Sequence, residues 1–193
     1  MRVPLTALVY TEGDTDRPVV SAVMKAAGFA LGGAANLEKR LRQQVAQESP
    51  IPRIFIMDSD GKCPVELRRR LMAQGSAATV VLRICHYEIE SWILADDQGF
   101  SRFFTIPLAK VESPDGRNAK ERMLRCVDRL GRSNTQDFAR RSPRSSGAYA
   151  FGSRYLVVVG QLMDSEWNAE RAALRSDSLR RALQRLRNLR DRF

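Results

Sequence analysis

Two short acidic motifs in the first third of the chain contain the residues best suited to chemistry. They are Glu12-Gly-Asp-Thr-Asp16 and Asp58-Ser-Asp60-Gly. Mg²⁺ and Mn²⁺ prefer oxygen ligands, and carboxylates held close together repel one another unless a cation lies between them. Two such ions stabilise both the attacking and the leaving oxygen of a phosphoryl displacement. We therefore predict that Glu12, Asp16, Asp58 and Asp60 bind one or two Mg²⁺ or Mn²⁺ ions for phosphodiester chemistry.

Each motif also has a purely structural interpretation. Asp16 alone can act as a helix N-cap, and Asp-Ser-Asp-Gly is a frequent turn sequence. Asp58 and Asp60 are two residues apart, so in an extended chain their side chains point to the same side. The occurrence of both motifs at the ends of predicted strands favours a metal site over two unrelated turns. Within that site we predict Glu12, Asp58 and Asp60 as the catalytic residues.

The acidic motifs directly follow two apolar segments, residues 5–11 and 52–57, which predict buried strands. Residues 78–84 predict a third strand. Helices are predicted over residues 19–27, 37–47, 64–73 and 88–96. Strands that alternate with helices predict an α/β fold with a mainly parallel sheet flanked by helices, and ligands of such sheets bind beyond the carboxyl ends of the strands.

The second half of the chain has a weaker pattern. Helices are predicted over residues 100–104 and 120–130 and from Ser178 onward, where leucines recur at helical spacing. Residues 131–154 lack an apolar period and predict a mobile loop, whereas residues 155–159 fit a strand or the start of a helix. We expect a catalytic core over residues 1–97 and a mostly helical, basic extension over residues 98–193 that packs on it. Residues 29–36 leave room only for a short strand.

The net charge of +10 indicates an anionic partner, because Lys and Arg that replace counterions on phosphates favour nucleic-acid binding. Solubility and binding to an acidic protein are the alternative explanations. Candidate contacts to nucleic acid are the lysine after the second acidic motif and the arginines around the predicted loop: Lys62, Arg140, Arg141, Arg144 and Arg154.

Several function classes are excluded or disfavoured. No run of 18 apolar residues exists, so we expect no membrane span, and no secretory leader is visible, so we expect a cytoplasmic location. Three widely spaced cysteines and one histidine form neither a zinc pattern nor a disulfide framework. A Gly-rich phosphate loop for ATP is also missing, so any ATP use would belong to another subunit.

The order of these motifs resembles the Toprim domain of topoisomerases, primases, OLD nucleases and small ribonucleases. In that domain a strand ends in Glu-Gly, a helical layer follows, and the next strand ends in Asp-x-Asp. The string Glu12-Gly-Asp-Thr-Asp16 is similar to the Glu-x-x-x-Asp pattern of OLD nucleases. Glu88-Ile-Glu-Ser-Trp-Ile-Leu-Ala-Asp96 resembles a stretch of the bacterial Toprim-like domain of unknown function family 4276. The segments beginning at Asp97, Trp167 and Ser178 also resemble that family, so the resemblance covers nearly the whole chain.

The resemblance implies a metal-dependent Toprim-type nuclease that cuts DNA or RNA with Mg²⁺ or Mn²⁺. It implies Glu12 as an acid/base or metal residue, Asp58 and Asp60 as metal ligands, and Glu88 or Glu90 as a further ligand. A helix cap or an ion pair explains Glu88 and Glu90 almost as well, and Trp92 fits core packing better than base stacking. The family's setting also implies a phage-defence effector with an ATPase partner.

Two other functions stay open. The first is a non-catalytic Toprim-like module that binds nucleic acid or a protein, although the presence of Glu12, Asp58 and Asp60 together argues against loss of activity. The second is a phosphohydrolase of the haloacid dehalogenase type, which also uses Asp-x-Asp-Gly after a strand. In those enzymes Thr or Val follows the motif, whereas Lys62 follows it here.

Overall fold

The computed structural model of the protein describes residues 4–31, 34–35, 37–72, 75–142 and 147–193. The strands are β1 (Leu5–Thr11), β2 (Phe29–Leu31), β3 (Ala34–Ala35), β4 (Arg53–Asp58), β5 (Val80–Cys85), β6 (Ala139–Arg141) and β7 (Tyr149–Phe151). The helices are α1 (Arg17–Ala26), α2 (Leu37–Gln44), α3 (Pro64–Leu71), α4 (Glu90–Ala95), α5 (Asp97–Phe104), α6 (Ala119–Leu130), α7 (Tyr155–Ser165), α8 (Ala169–Arg175) and α9 (Asp177–Arg190).

The main sheet has the order β2-β1-β4-β5, and β3 pairs with β1 beyond β2. Every pairing in this sheet is parallel: Leu5 lies opposite Phe29, Leu8 opposite Arg53, and Asp58 opposite Cys85. Helices flank the sheet, so the predicted α/β class with a mainly parallel sheet and C-terminal helices is confirmed. The described residues of this edge form the short strands β2 and β3, in agreement with the short strand expected there.

The residues of the central strands alternate between two apolar clusters, one on each face of the sheet. Ile54 and Ile56 of β4 belong to the larger cluster, which includes α1 and α4 to α9, whereas Phe55 and Met57 belong to the smaller one with α2 and α3. This alternation is the period of two expected for strands buried on both faces. It also directs Asp58, which follows Ile56 by two residues, toward the face that carries α1 and α4.

The turn between α1 and β2 shows why a glycine ends the first helix. Gly28 has a φ of 84°, a left-handed conformation that side chains other than glycine rarely adopt. A Cβ atom at this position would lie 2.6 Å from Nε of Arg190 in α9. The turn therefore lets α9 pack closely beside the first β-α unit.

The C-terminal helices share the larger apolar cluster with β1 and α1. Trp92 of α4 is fully buried there, and its indole N–H donates to Ser178 Oγ over 2.7 Å. The packing role predicted for Trp92 is confirmed. The predicted division after residue 97 falls within α5, after its first residue, and it stays a prediction.

The prediction of a mobile loop over residues 131–154 is wrong for the part of it that the structure describes, residues 131–142 and 147–154. Strands β6 and β7 form an antiparallel hairpin in which Ala139 lies opposite Phe151. Phe138 precedes the hairpin and is 1% exposed, and its ring contacts those of Phe104 and Tyr155. Two buried aromatic residues, Phe138 and Tyr149, anchor this segment, and two residues eleven positions apart produce no periodic pattern in the sequence. Residues 155–159 begin a helix, α7.

Candidate functional site

The two acidic motifs lie at the carboxyl ends of β1 and β4, which are neighbours in the sheet. From β1 the chain continues to one side of the sheet, to β2 and β3, and then crosses to the other side, to β4 and β5. The strand order therefore reverses between β1 and β4. In open α/β sheets, ligands bind in the crevice beyond the strand ends at such a reversal.

Glu12 is exposed at the rim of this crevice and touches β4. The backbone N–H of Asp58 donates to the Glu12 carboxylate, so the structure brings these two predicted site residues together. Partial loss of hydration raises the pKa of Glu12, with contributions from the negative charges of Asp60 and Asp16. The ammonium group of Lys62 acts in the opposite direction, which places this predicted residue beside the same crevice.

Asp16 lies at the start of α1 but does not cap that helix with its side chain. Its carboxylate accepts hydrogen bonds from the backbone N–H of Gly13 over 3.3 Å and from Thr15 Oγ1 over 3.2 Å. The carboxylate is therefore directed back toward the end of β1. Burial raises the pKa of Asp16 despite these hydrogen bonds and the nearby charge of Lys120.

Asp58 is the most strongly perturbed carboxyl group of the crevice. Burial and the negative charges of Glu90, Asp16, Glu12 and Asp60, in that order, raise its pKa to about 9. An aspartate with so high a pKa stays protonated near neutral pH unless a cation compensates the surrounding charge. Asp58 thus lies where several separate parts of the chain concentrate negative potential.

Asp60 reaches the crevice by a different route from the one predicted. It has a φ of 48°, in the left-handed region that Asp adopts more readily than most residues, and it is exposed. The chain therefore turns at residues 59–61. The prediction that Asp58 and Asp60 point to the same side of an extended strand is wrong. Ser59 holds this turn, because its buried Oγ accepts the backbone N–H of Tyr87 over 2.7 Å.

Glu88 and Glu90 take different roles. Glu88 Oε2 accepts the backbone N–H of Lys120 over 2.9 Å, so this carboxylate caps the first turn of α6. Glu90 is 4% exposed, and burial together with the charges of Glu88 and Asp16 raises its pKa to about 7. The buried hydroxyl of Tyr155 hydrogen-bonds to Glu90. Glu90, rather than Glu88, is therefore the glutamate whose carboxylate lies in the crevice with those of Asp58 and Asp16.

Sequence reasoning did not identify Lys120 and Tyr155 as site residues. Lys120 Nζ lies 3.8 Å from the centroid of the Phe151 ring, and its charge lowers the pKa of both Asp16 and Glu90. Tyr155 stacks on Phe151 at 3.9 Å between ring centroids. Both come from the C-terminal half, and no local motif marks either one. Only the packing of α6, α7 and the hairpin brings them to the crevice.

The donor set has the chemistry of a site for a hard divalent cation. Glu12, Asp16, Asp58 and Glu90 present only oxygen atoms, and their raised pKa values reflect charge that a cation would offset. Within the described ranges, however, no three Asp, Glu, His or Cys side chains are grouped closely enough to hold an ion as they stand. Binding would therefore require these side chains to turn toward one point.

The predicted nucleic-acid contacts lie on the hairpin and around it. Arg140 Nε donates to the backbone carbonyl of Phe151 over 3.0 Å, which holds this arginine on the hairpin beside β7. Arg141 lies over the Tyr149 ring at 4.3 Å and 3.8 Å from Asp128, and Arg154 donates to Gln136 over 3.4 Å. Arg144 lies outside the described residues.

A depression of about 360 Å³ adjoins the crevice. The residues that line it come from three loops: Asp60, Gly61, Tyr87, Glu88, Arg117 and Asn118. Arg117 is a second basic residue that the sequence pattern did not indicate. The depression connects the acidic turn after β4 with the start of α6.

None of the described helices combines the length and hydrophobicity that a membrane crossing requires. No protein-family model matches the chain. Neither the curated proteins nor the solved structures include a match. The Toprim and family 4276 resemblance therefore stays an interpretation of the motifs.

Proposed function

We propose that this protein hydrolyses phosphodiester bonds of DNA or RNA with the help of Mg²⁺ or Mn²⁺. The observation that supports the proposal best is the pKa of Asp58, raised to about 9 where the charges of Glu12, Asp16 and Glu90 meet at the switch point of the sheet. Stability alone gives no reason to bury and crowd carboxylates in this way, because the crowding is unfavourable without a counter-charge. Such perturbed groups cluster at functional sites.

Asp58, Glu90, Asp16 and Glu12 would hold the cation, which when bound supplies positive charge for a phosphate oxygen. The remaining steps belong to the protein itself. Glu12 is the most exposed of the four and stands at the rim, where it can accept a proton from an approaching nucleophile. Lys62 beside Glu12 and Lys120 beside Asp16 and Glu90 offer positive charge to the phosphate.

A nucleic-acid or protein binding module without catalysis is the alternative, and one observation favours it. In the described residues the carboxylates are not grouped as a ready-made ion site. A phosphohydrolase that forms an aspartyl phosphate is less well supported, because Lys62 follows the Asp-x-Asp-Gly motif where those enzymes have Thr or Val. The resemblance adds a role as a phage-defence effector with an ATPase partner, and no contact in the structure bears on that role.

The test compares the purified chain with Glu12→Gln and Asp58→Asn variants on labelled single- and double-stranded DNA and RNA with Mn²⁺, Mg²⁺ or EDTA. Glu48→Gln and Asp191→Asn are matched controls, since both residues are exposed: Glu48 precedes β4, and Asp191 follows α9 near Gly28, at the opposite end of the strands from the crevice. We expect metal-dependent cleavage that is at least about 100-fold slower in the two site variants and unchanged in the controls.

Metal binding is measured separately by Mn²⁺ calorimetry, so that an enzyme awaiting a partner protein is still recognised. Mn²⁺ binding that Asp58→Asn weakens by at least about tenfold supports the site even without cleavage. Nucleic-acid binding with neither cleavage nor Mn²⁺ binding would instead establish the module. Activity on a phosphate monoester, with label trapped on Asp58, would establish the phosphohydrolase.

A further inference from the structure

Four arginines from three separate elements meet at β5, the strand at the edge of the sheet. They are Arg68 of α3, Arg83 of β5, and Arg181 and Arg185 of α9, and we call them the β5 arginine cluster. Both α3 and α9 pack against β5. Arg68, Arg181 and Arg185 are exposed, and Arg83 is partly buried.

The charges of this cluster are close enough to act on one another. Burial lowers the pKa of Arg83, and the positive charges of Arg68, Arg185 and Arg181 lower it further. Like charges gathered in this way are unfavourable, so the fold gains nothing from the cluster by itself. A bound anion would relieve the repulsion.

Few acidic groups neutralise these arginines within the described chain. Arg181 forms an ion pair with Asp177 over 2.7 Å. By contrast, Arg83 Nε is buried without a hydrogen-bond partner, and no described carboxylate pairs with Arg68, Arg83 or Arg185. Guanidinium groups with free donors are the side chains best suited to bind phosphate oxygens.

The cluster is also close to the acidic crevice. Arg83 lies opposite Ile56, two residues before Asp58, so the Cα atoms of Arg83 and Asp58 are about 8 Å apart by strand spacing and rise. His86, which is exposed, and Tyr87 follow the end of β5 directly, and their rings lie 4.2 Å apart between centroids. Tyr87 also lines the depression beside Asp60.

We propose that the β5 arginine cluster binds the phosphates of a single-stranded nucleic acid, which continues over His86 and Tyr87 into the acidic crevice. The arginines provide the positive track and the two rings provide surfaces on which bases stack, which is the combination that single-strand binding requires. This inference rests on the proposed function in one respect, namely that the nucleic-acid strand continues from the cluster toward the acidic crevice. Binding itself is measured apart from cleavage.

The test uses charge reversal at two exposed members of the cluster, Arg68→Glu with Arg185→Glu, in the full chain. The matched control is Lys25→Glu with Arg40→Glu, which lowers the net charge by the same amount. The control positions match the cluster positions in their surroundings. Lys25, like Arg68, lies in the last turn of a helix, and Arg40, like Arg185, lies within a helix. All four side chains are exposed. Every form carries Asp58→Asn and is kept in EDTA, so that no substrate is cut.

Binding of a fluorescent single-stranded oligonucleotide is followed by anisotropy at several salt concentrations. We expect the cluster variant to bind at least about tenfold more weakly, with a slope of log K against log salt that is smaller by about 2, and the control to change less than about twofold. Equal weakening in both pairs would mean that net charge alone is responsible and would overturn the proposal. Absence of binding by the parent would overturn it as well.

Two further comparisons keep the result decisive. If the glutamate pair does not fold, as judged by circular dichroism, Arg68→Gln with Arg185→Gln replaces it, and a loss smaller than about threefold overturns the proposal. A duplex of the same sequence that binds as tightly as the single strand would overturn the single-strand assignment. Cleavage with Mn²⁺ is assayed separately, in protein that retains Asp58. Binding that depends on the cluster, without any cleavage, would contradict the proposed nuclease function and leave this inference standing.

Discussion

The negative charge that acts most strongly on Asp58 is that of Glu90, not that of its neighbour Asp60. Glu90 begins α4, more than thirty positions along the chain, whereas Asp60 occupies the exposed turn directly after β4. The alternation of side chains along β4 directs Asp58 to the face that α4 covers. The strongest charge interaction of Asp58 is therefore made across the fold rather than within the Asp-x-Asp motif.

This relationship predicts how substitutions shift the pKa of Asp58. Glu90→Gln removes the larger charge and keeps the shape of the side chain, so it should lower the pKa of Asp58 more than Asp60→Asn does. Carbon-13 NMR titration of the aspartate carboxyl groups in metal-free protein measures both shifts. A larger shift in the Asp60 variant would show that the motif dominates.

The raised pKa values also predict a dependence of stability on pH in metal-free protein. Asp58 titrates near 3.8 when unfolded and at about 9 when folded, and Glu90 moves from 4.5 to about 7. A raised pKa means that the folded state holds its proton more tightly, so this stabilisation is complete at low pH and is lost as pH rises through the folded value. We expect the melting temperature to fall between about pH 5 and pH 9, and the fall to be smaller in Asp58→Asn.

Added Mn²⁺ should reverse that trend, because a metal binds the deprotonated carboxylates. Thermal unfolding with and without Mn²⁺ should show a larger increase in melting temperature at pH 8.5 than at pH 6, and almost none in Asp58→Asn. Stabilisation that is the same at both pH values would indicate that the ion binds elsewhere.

Lys120 is expected to tune the metal site without binding the ion. Lys120→Gln removes a positive charge that lowers the pKa of Asp16 and Glu90, so these carboxyl groups should deprotonate at higher pH. The same positive charge repels a divalent cation more strongly than a proton, so Mn²⁺ affinity should rise in Lys120→Gln, and most at high pH, where the carboxyl groups are already deprotonated. Lys110→Gln, at an exposed position of the loop before α6, is the control and should leave both quantities unchanged.

A fifth prediction concerns the fold and not the crevice. Asp96 is 1% exposed and accepts two hydrogen bonds from Arg171, over 2.8 and 2.7 Å, which join α5 to α8. Arg171→Met leaves this buried carboxylate without its counter-charge and with only the backbone N–H groups of Gly99 and Asn168 as donors, so we expect a loss of about 3 kcal/mol in the free energy of unfolding. Arg175→Met breaks the more exposed pair with Asp97 and should cost less than about 1 kcal/mol. Urea unfolding measures both, and Mn²⁺ affinity should stay unchanged.

The sequence by itself determined the strands β1, β4 and β5, the α/β class and the acidic residues that end β1 and β4. These features are local: an apolar run of strand length and the residues directly after it are adjacent in the chain. Glu12 beside Asp58 could be predicted in the same way, because parallel strands end at a common edge.

Only the tertiary structure decided which acids share the crevice and what surrounds them. The backbone turns at Asp60, Glu88 caps α6, and Glu90 points inward toward Tyr155. Lys120 reaches the same place because Phe151 of the hairpin lies beneath it. These relations depend on how distant segments pack on one another, and burial and charge acting across space leave no period or motif in a linear sequence.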